Sequence, residues 1–137
     1  MSATAARPRP KIDPINRGFW ENARAGILSV QTCDNCRDVH FPGSPVCPRC
    51  LSGDQSWTPV SGRGTLLSWV RFHRAYWDGF RAELPYLVCL VGLEEGPLLI
   101  SNILETDPEK LVIGSPVEAV FETVDEELTL PKFRMRG

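Results

Sequence analysis

The sequence predicts a mainly β protein built from a short leading helix, a small cysteine-pinned ribbon and a five-stranded barrel. Three observations carry that reading. Two Cys-x-x-Cys pairs, Cys33/Cys36 and Cys47/Cys50, lie close enough in the chain to meet at one point. Downstream, short apolar runs alternate with turn residues, the rhythm of an antiparallel sheet. Upstream, only the stretch after Asp13 carries apolar residues at helical spacing.

Composition bounds the rest. The 137 residues make one ordinary domain, or two very small ones sharing an interface. With 42% hydrophobic and 23% charged residues, the chain has the balance of a soluble globular protein. Fifteen basic against seventeen acidic side chains give a net charge of −2, which argues against a protein that chiefly grips phosphate backbones. No apolar run approaches the length that spans a bilayer, and MSATAARPRPK lacks the apolar segment of a signal peptide, so a cytoplasmic location is expected.

Residues 1–12 are small, polar and punctuated by Pro8 and Pro10, and read as a flexible or partner-docked arm. Residues 13–25 read as the helix, with Asp13 as N-cap, Pro14 in the first turn and Gly26 as the stop. Ile15, Phe19, Trp20 and Ala23 form its apolar side, so it must lie on something; the two aromatics either complete a core or line a groove. Residues 26–60 read as the ribbon, with one strand over Gly26–Thr32 and a second over Val39–Pro42. Residues 61–137 read as the barrel. Its strands are expected over Thr65–Phe72, Tyr86–Leu93, Leu98–Ile103, Val117–Phe121 and Leu128–Phe133, with a capped helical turn at Asp107–Leu111. The second of these is apolar on both faces and hence central. Five strands with a helical insertion after the third fit a small Greek-key barrel of the OB type.

The cysteine spacing matches a rubredoxin-like site in which two knuckles bring four thiolates to the corners of one tetrahedron. The other readings are two disulfides or four unrelated core thiols; the absence of a secretory segment disfavours the disulfides. Zinc is the expected metal, with iron its chief competitor because sulfur geometry alone does not separate the two. Four protein ligands leave no position for a substrate, so the metal is structural. His40 is read as a half-exposed strand residue, and Cys89, inside an apolar strand, as a buried structural thiol.

From His73 to Pro85 the strand rhythm breaks into a loop rich in aromatic and basic groups. Loops of this length in a small domain are functional or disordered, and disordered ones seldom carry Tyr76, Trp77 and Phe80 together. A binding surface is expected here. Arg71, His73, Arg74 and Arg81 supply cations, while Tyr76, Trp77, Phe80 and the helix residue Trp20 supply apolar area. The same residue types suit a phosphate-bearing ligand with a long apolar arm or a docked protein, and the sequence leaves both open.

Taken together, Phe19-Trp20-Glu21, the Cys33/Cys36 knuckle, Phe41-Pro42 ahead of Cys47-Pro48-Arg49-Cys50, Ser61-Gly62-Arg63-Gly64-Thr65, His73-Arg74 and Leu84-Pro85-Tyr86 form an ordered set. Glu95-Gly96-Pro97, Ile113-Gly114-Ser115-Pro116-Val117 and Leu130-Pro131-Lys132-Phe133 extend it. The set resembles the acyl-CoA-associated zinc-ribbon/OB-fold proteins, domain-of-unknown-function family thirty-five, from Pro14 to Phe133. One local departure is that Arg37 and Leu51 follow the two cysteine pairs where such knuckles often use glycine. The resemblance implies a small non-catalytic subunit beside a thiolase-fold enzyme (retro-aldolase, acyltransferase or condensing enzyme) or a hot-dog-fold hydratase. It further implies an acyl-CoA thioester in a shared channel, in steroid side-chain degradation or ketide synthesis. Only the four cysteines carry over residue by residue.

An independent enzyme of thiolase type needs an activated cysteine with histidine partners, and outside the metal motif only Cys89, His40 and His73 remain. A nucleic-acid module is the other class, since OB folds and zinc ribbons both serve it, and Arg71, Arg74 and Arg81 with the loop aromatics would stack on bases. The acidic balance and the resemblance favour the accessory subunit.

Overall fold

The computed structural model describes residues 7–105 and 107–136. Residues 1–6 of the expected arm lie outside the described residues. Asp13 does cap a turn, its Oδ1 accepting from the amides of Ile15 and Asn16 at 2.8 Å each. Regular helix begins only after this capped turn: α1 spans Arg17–Arg24 and buries Phe19 and Ala23. Gly26 leaves it with a φ of 77°, a conformation open to glycine at no steric cost.

The ribbon holds three strands where the sequence predicts two. β1 (Ser29–Cys33) lies between β2 (Val39–His40) and β3 (Gln55–Pro59), all antiparallel. Strand β3, Gln-Ser-Trp-Thr-Pro, has one large apolar residue and ends in proline, so it gives little periodic signal. As an edge strand it tolerates that proline.

The barrel uses the five predicted strands. β4 (Arg63–Phe72), β5 (Tyr86–Leu93), β6 (Leu98–Asn102), β7 (Pro116–Thr123) and β8 (Thr129–Met135) are ordered β6-β5-β4-β7-β8. β5 pairs with both β4 and β6 and buries Leu87, Cys89, Val91 and Leu93 at alternate positions. Gly64 lets β4 and β5 approach, because a Cβ there would stand 2.6 Å from the Gly92 carbonyl oxygen. A 3-10 turn at Pro108–Lys110 follows β6, capped by the Asp107 carboxylate as expected. Closure between β6 and β8 is partial. Among the described residues it consists of a parallel bridge, Ile103 to Phe133, in which the Leu104 amide donates to the Phe133 carbonyl at 2.7 Å, and a hydrogen bond from Ser101 Oγ to the Pro131 carbonyl at 2.7 Å.

One core runs through both parts. Phe133, Leu66, Val91 and Val117 of the barrel and Val30 of the ribbon are fully buried and belong to the same cluster as Phe19. Phe19 meets Trp20, Phe41 and Trp57 with ring centroids at 5.0, 5.3 and 5.6 Å. The Trp57 indole N–H donates to the Ile15 carbonyl at 2.9 Å. Gly18 and Gly43 leave room for that indole, since a Cβ at either would stand 2.6 or 2.5 Å from it. The two uses foreseen for the helix aromatics are thus divided: Phe19 completes the core, and half-buried Trp20 packs at its edge. Replacing Phe19 by Ala should destabilise the protein by about 3–5 kcal/mol. Chemical denaturation checks this, and a loss below about 1 kcal/mol would show that the shared core is not where the ribbon is held.

Candidate metal centre and barrel-mouth groove

Each cysteine pair sits in a tight knuckle. The Arg37 amide donates to the Cys33 carbonyl at 2.9 Å and the Leu51 amide to the Cys47 carbonyl at 2.8 Å. Amide to sulfur bonds follow: Cys36 N–H to Cys33 Sγ at 3.4 Å, and Arg49 and Cys50 N–H to Cys47 Sγ at 3.3 and 3.5 Å. Arg37 and Leu51 both hold φ at 68°, the left-handed conformation that glycine adopts freely. The departure noted in sequence is therefore absorbed by strain, of the order of 1–2 kcal/mol at each position. The knuckle geometry is kept.

The four sulfurs gather within 4.8 Å of one another. Cys33 Sγ lies 3.5 Å from Cys50 Sγ, and Cys36 Sγ lies 3.6 Å from Cys47 Sγ. A tetrahedron with zinc–sulfur bonds of ~2.3 Å has edges of about 3.8 Å, so the set fits the metal. Disulfides do not fit these spacings, which lie far beyond a sulfur–sulfur bond of ~2.05 Å. Without a cation the thiols divide unequally. The Asn35 side chain and the Ser52 amide draw Cys50 down to about 6. Cys36, despite a backbone hydrogen bond at Asp38, is pushed up to about 12 by desolvation and the neighbouring sulfurs. A metal that ionises all four displaces those protons. His40 stands beside this site as a half-buried strand residue, its Nε2 2.7 Å from Gln31 Oε1 and its Nδ1 3.2 Å from Asp38 Oδ2.

A second feature lies at the mouth of the barrel. A groove of about 1070 Å³ runs between β5, β6, β8, the loop before β5 and the arm over residues 7–10. Its walls are chiefly apolar, among them Phe80, Tyr86, Ile103, Leu104, Val124 and Leu130. The arm crosses it on ion pairs. Arg7 donates to Glu122 at 3.0 Å and to Glu83 at 3.3 Å, and Arg9 reaches Asp125 at 2.6 Å. Lys132, buried on β8, reaches the other oxygen of Glu122 at 2.6 Å. Burial alone would raise the Glu122 carboxyl, but the hydrogen bonds from Lys132 and Arg7 outweigh it and hold it below its ordinary value. A smaller cavity of about 270 Å³ lies beside the groove, lined by Phe19, Trp20, Phe41 and Leu99.

The sequence-predicted surface residues divide. Arg71 and Phe80 line the groove, and Trp20 lines the smaller cavity. Tyr76 and Trp77 point outward, 64% and 58% exposed. Trp77 leans edge-on against Phe80 at 6.5 Å, and Arg74 lies over the Tyr76 ring at 5.3 Å. Arg81 pairs locally with Asp78 at 2.7 Å, and His73 is exposed in the loop. No sequence pattern joins Arg7 to Glu122 and Lys132, which come from the opposite end of the chain. Lys132 offered one sign, a cation inside a strand between Pro131 and Phe133.

Two family models match the chain: the ChsH2 rubredoxin-like zinc ribbon domain over residues 20–55 and the ChsH2 C-terminal OB-fold domain over residues 57–122. The chain is 38% identical over 130 residues to the probable enoyl-CoA hydratase alpha subunit of Thermomonospora curvata, covering 95% of this chain. It spans about 40% of the length of that relative. It is 37% identical over 101 residues to a DUF35 domain-containing scaffold protein of Methanothermobacter thermautotrophicus, covering 73% of this chain and 75% of that one. Among solved structures, a chain of an Ltp2-ChsH2(DUF35) aldolase superposes with a TM-score of 0.84 at 37% identity, covering 93% of this chain and 98% of that one. The gathered cysteines and the matching zinc ribbon together make this a structural zinc site.

Elemental analysis should find one zinc per chain, and Cys47→Ser should abolish it while leaving much of the barrel folded. Loss of the metal removes a binding free energy of roughly 10–16 kcal/mol from the ribbon. A metal-free protein, or one carrying iron with red-brown absorbance, would contradict the assignment. The Glu122 pairs set a pH dependence. With its folded pKa below the ordinary 4.5, Glu122 contributes fully above about pH 4.5, and the contribution is lost as pH falls through the folded value. Thermal melts should therefore show Glu122→Gln destabilising at neutral pH and progressively less so in acid.

Proposed function

The chain belongs to the ChsH2/DUF35 family of zinc-ribbon and OB-fold proteins, and from that premise we propose that it is a non-catalytic subunit of an acyl-CoA-processing complex. It docks on a thiolase-fold enzyme and contributes one wall of a channel for the acyl-CoA thioester. The observation that supports this reading is the superposition, over nearly all of both chains, on a chain of the Ltp2-ChsH2(DUF35) aldolase. The acyl-CoA names of relatives point to the same substrate class.

The chain's own chemistry agrees. Cys89 is 1% exposed, and burial pushes its thiol up to about 11, which suits packing and not nucleophilic attack. The zinc has four protein ligands and offers no open position. What the chain does present is surface: Tyr76 and Trp77 stand exposed together on one loop, the residue types that anchor protein interfaces.

Co-expression with a thiolase-fold protein encoded beside it should give a co-purifying complex, and Trp77→Ala should weaken it by about 2 kcal/mol or more. The isolated chain should cleave no thioester or carbon–carbon bond above background. Activity of the isolated chain, or assembly untouched by the substitution, would count against docking through this loop.

A further inference from the structure

We propose that the barrel-mouth groove and the smaller cavity beside it form one trough that binds an acyl chain carried on an anionic head group, with Arg71 meeting the head and the arm over residues 7–10 closing over the chain. The proposal deepens the acyl-CoA reading above, on which it rests, by assigning the acyl chain to this subunit and not to its partner.

The two cavities share Ile100, Ser101, Asn102, Leu130 and Lys132 as walls, so they adjoin along the seam where β6 and β8 do not form a full ladder. β6 alone runs about 17 Å beside that seam, at ~3.4 Å per residue. The space is therefore long, and its walls are mostly apolar. That shape suits an extended hydrocarbon better than a nucleotide, whose phosphates and base need many polar partners. Ile100 is 72% exposed on this seam, an apolar side chain held at a solvent-facing position.

The charges around the trough select the head group. Arg7, Arg9 and Lys132 are already held by Glu83, Glu122 and Asp125. Glu105, also on the wall, accepts from the Asp107 amide at 3.1 Å. Arg71 is the groove-lining cation with no ion-pair partner among the described residues. An anion at the mouth completes it. Arg7 lies over the Phe80 ring at 6.0 Å and spans from Glu83 to Glu122, tying the loop to β7 across the opening. The Arg9 pair is half-exposed and such pairs contribute little individually, so the strap is held mainly by the less exposed Arg7 and can part from the groove when that one residue lets go.

The test uses the zinc-loaded full chain, titrated by calorimetry below the micellar range with dodecanoate, dodecanoyl-CoA and CoA alone. At least one chain-bearing probe should bind tenfold or more tightly than CoA. Preference for dodecanoate assigns a free carboxylate, and preference for the thioester assigns an acyl-CoA; either supports the trough. Ile100→Asp, at an exposed position, should abolish that binding, Arg71→Met should weaken it five- to tenfold, and deletion of residues 1–10 should speed release several-fold. CoA binding as tightly as dodecanoyl-CoA, or binding unchanged in Ile100→Asp, would overturn the proposal. If no probe binds while the chain still assembles with its thiolase-fold partner, the trough is wrong and the docking reading stands. If the chain binds the probes but assembles with no such partner, the trough stands and the docking reading fails.

Discussion

One buried ring holds the two halves of this protein in a fixed relation. Phe19 touches Trp20 on its own helix and Phe41 and Trp57 from the ribbon, and belongs to the cluster that includes Leu66 and Phe133 of the barrel. A helix of eight residues has no stability of its own in water, so α1 exists because that ring is buried. The ribbon is in the same position. Three short strands enclose almost no core, and the zinc supplies the cohesion that packing does not. Metal and ring therefore hold different things: the zinc fixes the knuckles, and Phe19 fixes the knuckles to the barrel.

The barrel in turn accepts an incomplete closure. A full β6 to β8 ladder would pair every backbone group along the seam, whereas among the described residues one bridge, which includes the Leu104 to Phe133 bond, and one side-chain hydrogen bond from Ser101 join the two edges. Open edges invite adventitious strand pairing unless something covers them. α1, with Trp20, packs beside one end of the seam, and the arginine-bearing arm crosses the other. Pro131 contributes to the gap, since it has no amide N–H and presents only its carbonyl to Ser101 across the seam. The gap persists because covering elements, and not ladder bonds, complete the barrel.

How much of this was legible follows from how far apart the cooperating residues are. The metal site was readable because its ligands come as two local pairs whose spacing alone implies the geometry. β5 was readable because its apolar run marks an inner strand, although only one of its faces, Leu87, Cys89, Val91 and Leu93, is fully buried. β3 was not, since Gln55–Pro59 owes its strand conformation to pairing with β1 and not to its own pattern. α1 starts late because Asp13 prefers to cap the turn that precedes it. The groove was least legible of all. Arg7 and Glu122 stand 115 residues apart, and no periodicity or spacing rule joins them. An arm rich in proline and small residues reads as unstructured until the acids it meets are placed by the barrel.

The loop between β4 and β5 shows how the two surfaces of the protein are joined. In the sequence its aromatics form one group, suited to a ligand or to a partner. The 3-10 turn at Asp78–Glu83 separates them: Phe80 is turned toward the groove, while Trp77 remains outside. Yet the two rings touch edge to face, and the Phe80 amide donates to the Trp77 carbonyl at 3.0 Å. Trp77 therefore backs onto a wall of the groove, and onto the ring over which Arg7 lies. On the reading proposed above, a partner seated on Trp77 and a ligand in the groove would meet across this single pair of rings, which is where the two proposed surfaces adjoin.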